Sequence, residues 1–179
     1  MRAFFSLGLL LGVMTLSAQT GRPLIQSFPA AKLGTADVTW CAVQDDAGLV
    51  YVGASSVLIY DGWRWRRHEV PGTYAIRALA WQGGRLWVGG FGEIGYFDKG
   101  PDGLGAFHSL RGLLPAECAE VGDVWQVYPR AEGAVFITHD RVLWWTGARF
   151  RSWQVPNQRR LCPMRVGDLL GTGTISGPA

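Results

Sequence analysis

Lysine is nearly missing from this chain. Only Lys32 and Lys99 occur in 179 residues, so the 17 basic side chains are almost all arginine, set against 14 acidic ones for a net charge of +3. A nucleic-acid binder gathers its basic residues on one face. Here they are spread along the chain, and the densest run, Arg64-Trp65-Arg66-Arg67-His68, alternates rings with charges as an outer strand with one wet face does. No nucleic-acid partner is expected. Cysteine is scarce too: Cys41, Cys118 and Cys162 form an odd set without a C-x-x-C pair. Their spacing does not resemble a zinc site. They leave open whether any pair forms a disulfide, and Cys41 and Cys162 are expected as small buried residues on inner strands. No nucleophile elbow, H-E-x-x-H or calcium loop is present, so no catalytic residue, metal or cofactor is expected.

Long apolar runs are absent except at the start. Met1-Arg2 is a short positive region, Ala3 to Leu16 carries no charge, and Ser17-Ala18-Gln19 offers a small-residue cleavage site. That run is shorter than the ~20 residues of a membrane span, so residues 1–18 read as a signal peptide and the chain as periplasmic or extracytoplasmic. Residues 19–35 follow as a leader segment.

Abundant instead are tryptophan and glycine, 9 and 25 residues, in a chain that is 48% hydrophobic and 17% charged. Such a chain has a core. The pairing of glycine with large rings points to short strands, tight turns and planar side chains between layers, with most of the tryptophans in the core.

A repeat organises them. Ala47–Gly62 (AGLVYVGASSVLIYDG), Gly83–Asp98 (GGRLWVGGFGEIGYFD) and Glu132–Gly147 (EGAVFITHDRVLWWTG) align without a gap. A turn glycine falls at Gly48, Gly84 and Gly133. An aromatic follows at Tyr51, Trp87 and Phe136, and a second at Tyr60, Tyr96 and Trp145. Units of roughly 35–50 residues made of short strands alone are the signature of a β-propeller blade. The expected fold is therefore all-β, about three four-stranded antiparallel blades plus the start of a fourth, in an incomplete ring over residues 36–179. The blades are placed at about 36–71, 72–110, 121–154 and 160–179. Strands are expected at 39–44, 49–53, 57–61 and 64–70; at 75–81, 85–89, 93–98 and 105–109; and at 124–128, 134–138, 141–145 and 149–153. Because propellers close with about four to eight blades, the chain is expected to be part of a longer protein; an open arc is the alternative.

The same repeat disposes of a motif. Gly90-Phe91-Gly92-Glu93-Ile94-Gly95 is a literal G-x-G-x-x-G, but a dinucleotide fingerprint needs a helix after its glycines. Here Lys99-Gly100-Pro101-Asp102-Gly103 arrives too soon, so the glycines belong to a hairpin turn.

At the columns Gly48-x-Val50-Tyr51-Val52-Gly53 with Val57-Leu58-x-Tyr60, and Gly84-x-Leu86-Trp87-Val88-Gly89 with Ile94-x-Tyr96, the chain resembles the two-component regulator propeller family. These are the extracytoplasmic sensor propellers of bacterial hybrid histidine kinases and transcription regulators. The third unit departs, with Thr138 in the glycine column and Trp145 in the tyrosine column. The resemblance implies the N-terminal part of a sensor propeller that binds a ligand or partner and relays a signal to a downstream module absent from this chain. It also implies further blades as partners, and a dimer through the missing region. No autophosphorylation histidine motif occurs, so this chain itself is not expected to be an enzyme. The alternative is a fragment of a secreted propeller hydrolase, lyase or quinoprotein.

Ligands of propellers meet the loops at one mouth of the ring. The polar candidates there are Arg77, Glu93, His139 and Asp140, with Trp40 and Trp125 as flat faces near the axis. An arginine suits a carboxylate and an aromatic suits a sugar ring, so the ligand class includes carbohydrate.

Overall fold

The structure, a computed structural model, describes residues 26–29, 33, 38–101, 103–155, 161–166 and 169–174, the last two stretches as backbone alone. The expected signal peptide lies outside them. Strand patterning dominates as expected: three four-stranded antiparallel sheets, each built from consecutive strands in chain order, and a final two-stranded hairpin. The first sheet holds β1 (Cys41–Gln44), β2 (Val50–Gly53), β3 (Val57–Tyr60) and β4 (Trp65–His68). The second holds β5 (Ile76–Gln82), β6 (Arg85–Gly90), β7 (Ile94–Gly100) and β8 (Gly103–Ser109). The third holds β9 (Gln126–Arg130), β10 (Gly133–Ile137), β11 (Arg141–Trp145) and β12 (Phe150–Gln154), and β13 (Leu161–Val166) pairs with β14 (Leu169–Thr174). Between β8 and β9, two single 3-10 turns, Arg111–Leu113 and Ala116–Cys118, are the helical structure of this stretch. The G-x-G-x-x-G is the β6–β7 hairpin, with Gly92 at φ +70°.

The sheets stack by their first strands, β1 against β5 and β5 against β9. Two apolar clusters fill the layers. Tyr51, Ile59, Ile76, Leu86, Val88 and Phe97 pack between the first and second sheets, and Trp87, Ile94, Val124, Val127, Phe136, Leu143 and Trp145 between the second and third. The insertion between β8 and β9 helps to close the second layer with Leu110, Cys118 and Val121. Burial of these side chains at ~25 cal/mol per Å² is the main favourable term holding the sheets face to face.

Small residues set the distance between layers. A Cβ at Gly53 would lie 2.8 Å from the Ile76 carbonyl oxygen of the second sheet, and one at Gly89 would lie 2.5 Å from Val124 Cγ1 ahead of the third. A matching backbone hydrogen bond ties each pair: Ile76 N–H donates to Ala54 O at 2.7 Å, and Val124 N–H to Gly90 O at 3.2 Å.

The gap-free alignment of the third unit is one residue out. Tyr51 faces the second sheet, where it stacks on Trp81 at 5.7 Å, and Trp87 faces the third. Phe136, aligned with them by sequence, points back at the second sheet, 6.2 Å from Trp87. Register shows why. Trp81 pairs with Leu86 across the β5–β6 hairpin, and Pro129 with Ala134 across β9–β10. Matched by hairpin, Trp87 corresponds to Val135 and Val88 to Phe136. One residue of slip turns a strand's side chains to its other face. A second slip separates Tyr60 from Tyr96, because three residues lie between the paired Gly53 and Val57 where four lie between the paired Gly89 and Ile94.

The tryptophans also depart from expectation. Trp87 and Trp145 are buried, Trp65, Trp81 and Trp144 half-buried, and Trp40, Trp63, Trp125 and Trp153 exposed. Trp40, Trp125 and Trp153 lie at strand ends or on an outer strand, where a ring meets a neighbour on one side and water on the other, and Trp63 stands in the β3–β4 turn, 91% exposed. Part of the leader packs there: Phe28 lies edge-on to Tyr60 and Trp65, 5.1 and 5.2 Å away. Cys41 and Cys118 are free thiols. Burial pushes the Cys41 thiol up to about 11, against two backbone hydrogen bonds that lower it.

Candidate functional site

The matched register puts three of the sequence candidates at one position. Cys41 pairs with Gly53, Ala78 with Gly89 and Gln126 with Ile137, which are equivalent rungs of the three sheets. Trp40, Arg77 and Trp125 each stand one residue before that rung. Trp40 N–H donates to Gly53 O and Trp125 N–H to Ile137 O, both at 2.8 Å. Arg77 sits in a β-bulge, between Ile76 paired with Gly90 and Ala78 paired with Gly89.

These side chains meet. The Arg77 guanidinium lies over the Trp40 ring at 3.7 Å and near the Trp125 ring at 5.0 Å, and the two rings stand edge to face at 6.3 Å. Arg77 Nε donates to Asp123 Oδ1 at 2.7 Å. The arginine is well covered and Asp123 a quarter exposed, while Trp40 and Trp125 are 44% and 46% exposed. The site therefore presents two open indole faces around a desolvated, charge-compensated pair. Arg77 Nη1 is buried and has no hydrogen-bond partner, so a donor remains unsatisfied there.

A second aromatic pair borders it. Tyr74, in the loop between the first two sheets, lies 5.0 Å from Phe91 in the β6–β7 turn, and both are exposed. Phe91 N–H donates to Ala75 O, Gly92 N–H to Gly122 O, and Phe91 forms an isolated bridge with Asp123. One backbone network thus holds the Tyr74–Phe91 pair next to the arginine's carboxylate partner. Asp123, Tyr74 and Phe91 were not among the sequence candidates. Asp123 lies two residues before Trp125, and its pairing across 46 positions leaves no local signal.

The remaining candidates go elsewhere. Glu93 is buried and structural: its Oε1 accepts from Ile94 N–H at 3.0 Å and from Ser109 Oγ at 2.6 Å, tying the hairpin turn to β8. Asp140 closes the β10–β11 turn. Its backbone N–H and its carboxylate both bond Thr138 Oγ1, its carbonyl accepts from Val155 N–H, and Arg141 lies 3.7 Å away. His139 is exposed in the same turn. Neither contacts the Trp40–Arg77–Trp125 group. Among the described residues no cluster of three or more histidine, cysteine, aspartate or glutamate side chains could hold a metal. Nor, among them, is any helix long and apolar enough to cross a membrane.

No protein-family model and no curated protein sequence matches the chain. Among solved structures, the fold is similar to the extracellular domain of the proposed one-component system BT4673 from B. thetaiotaomicron. The TM-score is 0.62 and the identity 19%, over 82% of this chain. The chain spans 20% of the length of that neighbour.

Proposed function

We propose that this chain is a propeller-type arc of an extracytoplasmic sensor module, and that the Trp40–Arg77–Trp125 group with Asp123 is its ligand site. The observation that carries the reading is convergence. Residues at one register position of three successive sheets meet at one point, which is what sheets radiating from a shared axis produce at its mouth. The likeness in fold to an extracellular sensor domain supports the sensory role, and the charge-free run before residue 17 supports export.

The chemistry favours a small neutral ring compound, carbohydrate being the class that fits best. Open indole faces stack on the apolar face of a sugar ring, and the buried Arg77 Nη1 and the free edge of Asp123 meet its hydroxyls. Because Arg77 and Asp123 already compensate each other, an acidic ligand gains little. A bound ligand would shift the balance between arrangements of the loops at this mouth and so bias a downstream module. The secreted-enzyme alternative needs carboxylates converging across sheets, and the one at this point is committed to Arg77.

Isothermal titration with maltose, cellobiose and laminaribiose tests the reading. At least one is expected to saturate. Trp40→Ala and Trp125→Ala should each remove that binding without lowering the melting temperature by more than a few degrees. Silence from all three sugars, or binding that survives both substitutions, overturns it.

A further inference from the structure

Beside the Trp40–Arg77–Trp125 group the chain exposes two more rings that the fold does not call for. Matched by hairpin, the position of Phe91 is held by Ser55 in the first sheet and by His139 in the third. The position of Tyr74, ahead of the second sheet, is held by Gly122 ahead of the third. The repeat therefore builds the same turn and the same connecting loop without an aromatic at either place. Tyr74 is nonetheless 65% exposed and Phe91 40%, with ring centroids 5.0 Å apart and planes tilted by 39°. Neither ring belongs to the apolar clusters between the sheets. Backbone contacts hold them in place. Phe91 N–H donates to Ala75 O at 2.9 Å, and Thr73 Oγ1 donates to the same oxygen at 3.1 Å. A Cβ at Gly90 would lie 2.8 Å from Thr73 Oγ1, so glycine there lets the loop lie against the turn. On its other side Phe91 bridges Asp123, the carboxylate bonded to Arg77. The two ring groups thus share one scaffold.

We propose that Tyr74 and Phe91 form a second stacking subsite of the same ligand site, and that the ligand is therefore an oligomer of at least two linked sugar rings; the proposal rests on the carbohydrate reading given above. An exposed aromatic face takes the apolar face of a sugar ring as the indoles do. The loop that carries Tyr74 is already bonded to the turn that carries Phe91, so little ordering entropy is lost when a ring settles there. Asp123, which ties the two groups together and is a quarter exposed, offers an acceptor to hydroxyls between them. A single sugar ring fills one group only. A second ring linked to it gains the other group without a second loss of translational freedom, so this site discriminates by chain length.

Calorimetry on the full chain tests this with glucose and three length series: maltose and maltotriose, cellobiose and cellotriose, laminaribiose and laminaritriose. In a series that binds, affinity is expected to rise by about tenfold from glucose to the trisaccharide. Tyr74→Ala and Phe91→Ser, the latter carrying the side chain that the first sheet has at this position, should each cut that ratio to about threefold or less. Trp40→Ala should abolish binding at every length. Equal affinity for glucose and trisaccharide, in a parent whose binding Trp40→Ala removes, overturns the second subsite and leaves the first standing. A length gain that survives both Tyr74→Ala and Phe91→Ser also overturns it. Silence from every sugar overturns both readings. Should one of the two variants not fold, the other decides.

Discussion

Replacing Gly89 by alanine adds one methyl group at the tightest point between the second and third sheets. The new Cβ would sit 2.5 Å from Val124 Cγ1, 2.9 Å from Val124 Cβ and 3.0 Å from Val127 Cγ2. These are β-branched side chains with stiff χ1 angles, and Val124 is fully buried, so the strain must go into backbone. Overpacking of this kind costs about 1–3 kcal/mol. Alanine recovers roughly 0.5–1 kcal/mol of the backbone entropy that glycine loses in a strand. The net expectation is a loss of about 1–2 kcal/mol, or roughly 2–8 °C in melting temperature for a chain of this size. Thermal and urea denaturation followed by circular dichroism would measure it. Gly112→Ala is the control, since nothing lies within 4 Å of its added Cβ and its φ is not positive; it should stay within about 0.5 kcal/mol of the parent. The diagnostic is the pair Gly89→Ala/Val124→Ala. If the clash is with Val124, shortening the valine relieves it, and the double variant should be at least about 1 kcal/mol more stable than the two single losses summed. A Gly89→Ala protein that melts like Gly112→Ala, or an additive double variant, would show that the glycine is not what sets this spacing.

Other consequences follow from single groups. Arg77→Ala leaves Asp123 without its partner and frees both indoles, so a loss of about 1–3 kcal/mol is expected by urea denaturation; full stability would mean that the convergence does not hold the sheets. With its thiol raised from 9.0 to about 11, Cys41 should be alkylated by iodoacetamide at pH 8 about a hundredfold more slowly than an unperturbed thiol, since the thiolate is the nucleophile; peptide-resolved mass spectrometry reads this, and ordinary reactivity in the native state would refute the burial. Burial first, and then the charge and hydrogen bond of Asp45, push the Tyr51 phenol up. The native state therefore holds that proton more tightly than the unfolded one. Its stabilising contribution is complete below about pH 10 and declines above it, and Tyr51→Phe should flatten the alkaline side of the stability profile. His68 is lowered by burial and then by Arg66. The unfolded state then binds the proton better, so acid below about pH 6.5 should destabilise the parent more than His68→Gln.

Most strands were legible because alternation and turn chemistry act locally. Asp61-Gly62 and Gly83-Gly84 announce hairpins, with φ of +92°, +59° and +76° at their glycines, and the apolar runs beside them can only be strands. Face assignment was not legible. Phe136 occupies the aromatic column by sequence, yet it faces the other way, because Gly133, aligned with the turn residue Gly84, is the first paired residue after its turn, the position that Arg85 holds in the second sheet. Pairing settles that position, and pairing is not a local property. The exposed tryptophans misled for a related reason: composition says how many rings there are, not which lie at strand ends. Of the site, Trp40, Arg77 and Trp125 were readable as first-strand residues near an axis. Their partner Asp123 was not, since its role arises from where two loops meet.

The bulge at Arg77 explains why the second sheet contributes an arginine where its neighbours contribute tryptophans. A β-bulge places two residues opposite one, twists the strand and re-aims the extra side chain. Trp40 and Trp125 lie on unbulged backbone, each bonded to the rung beside it. Arg77 is the extra residue between two adjacent rungs of β6, so its side chain is freed from strict alternation and reaches across both neighbours to Asp123. A third tryptophan here would close the point with three rings and no polar contact. The arginine instead seats a desolvated charge between two indoles, where cation–π attraction exceeds its exposed value, and leaves one donor over. A wholly apolar contact would serve only to hold sheets together. On the ligand-site reading proposed above, the spare buried donor beside two exposed rings is the feature that a bound molecule would use.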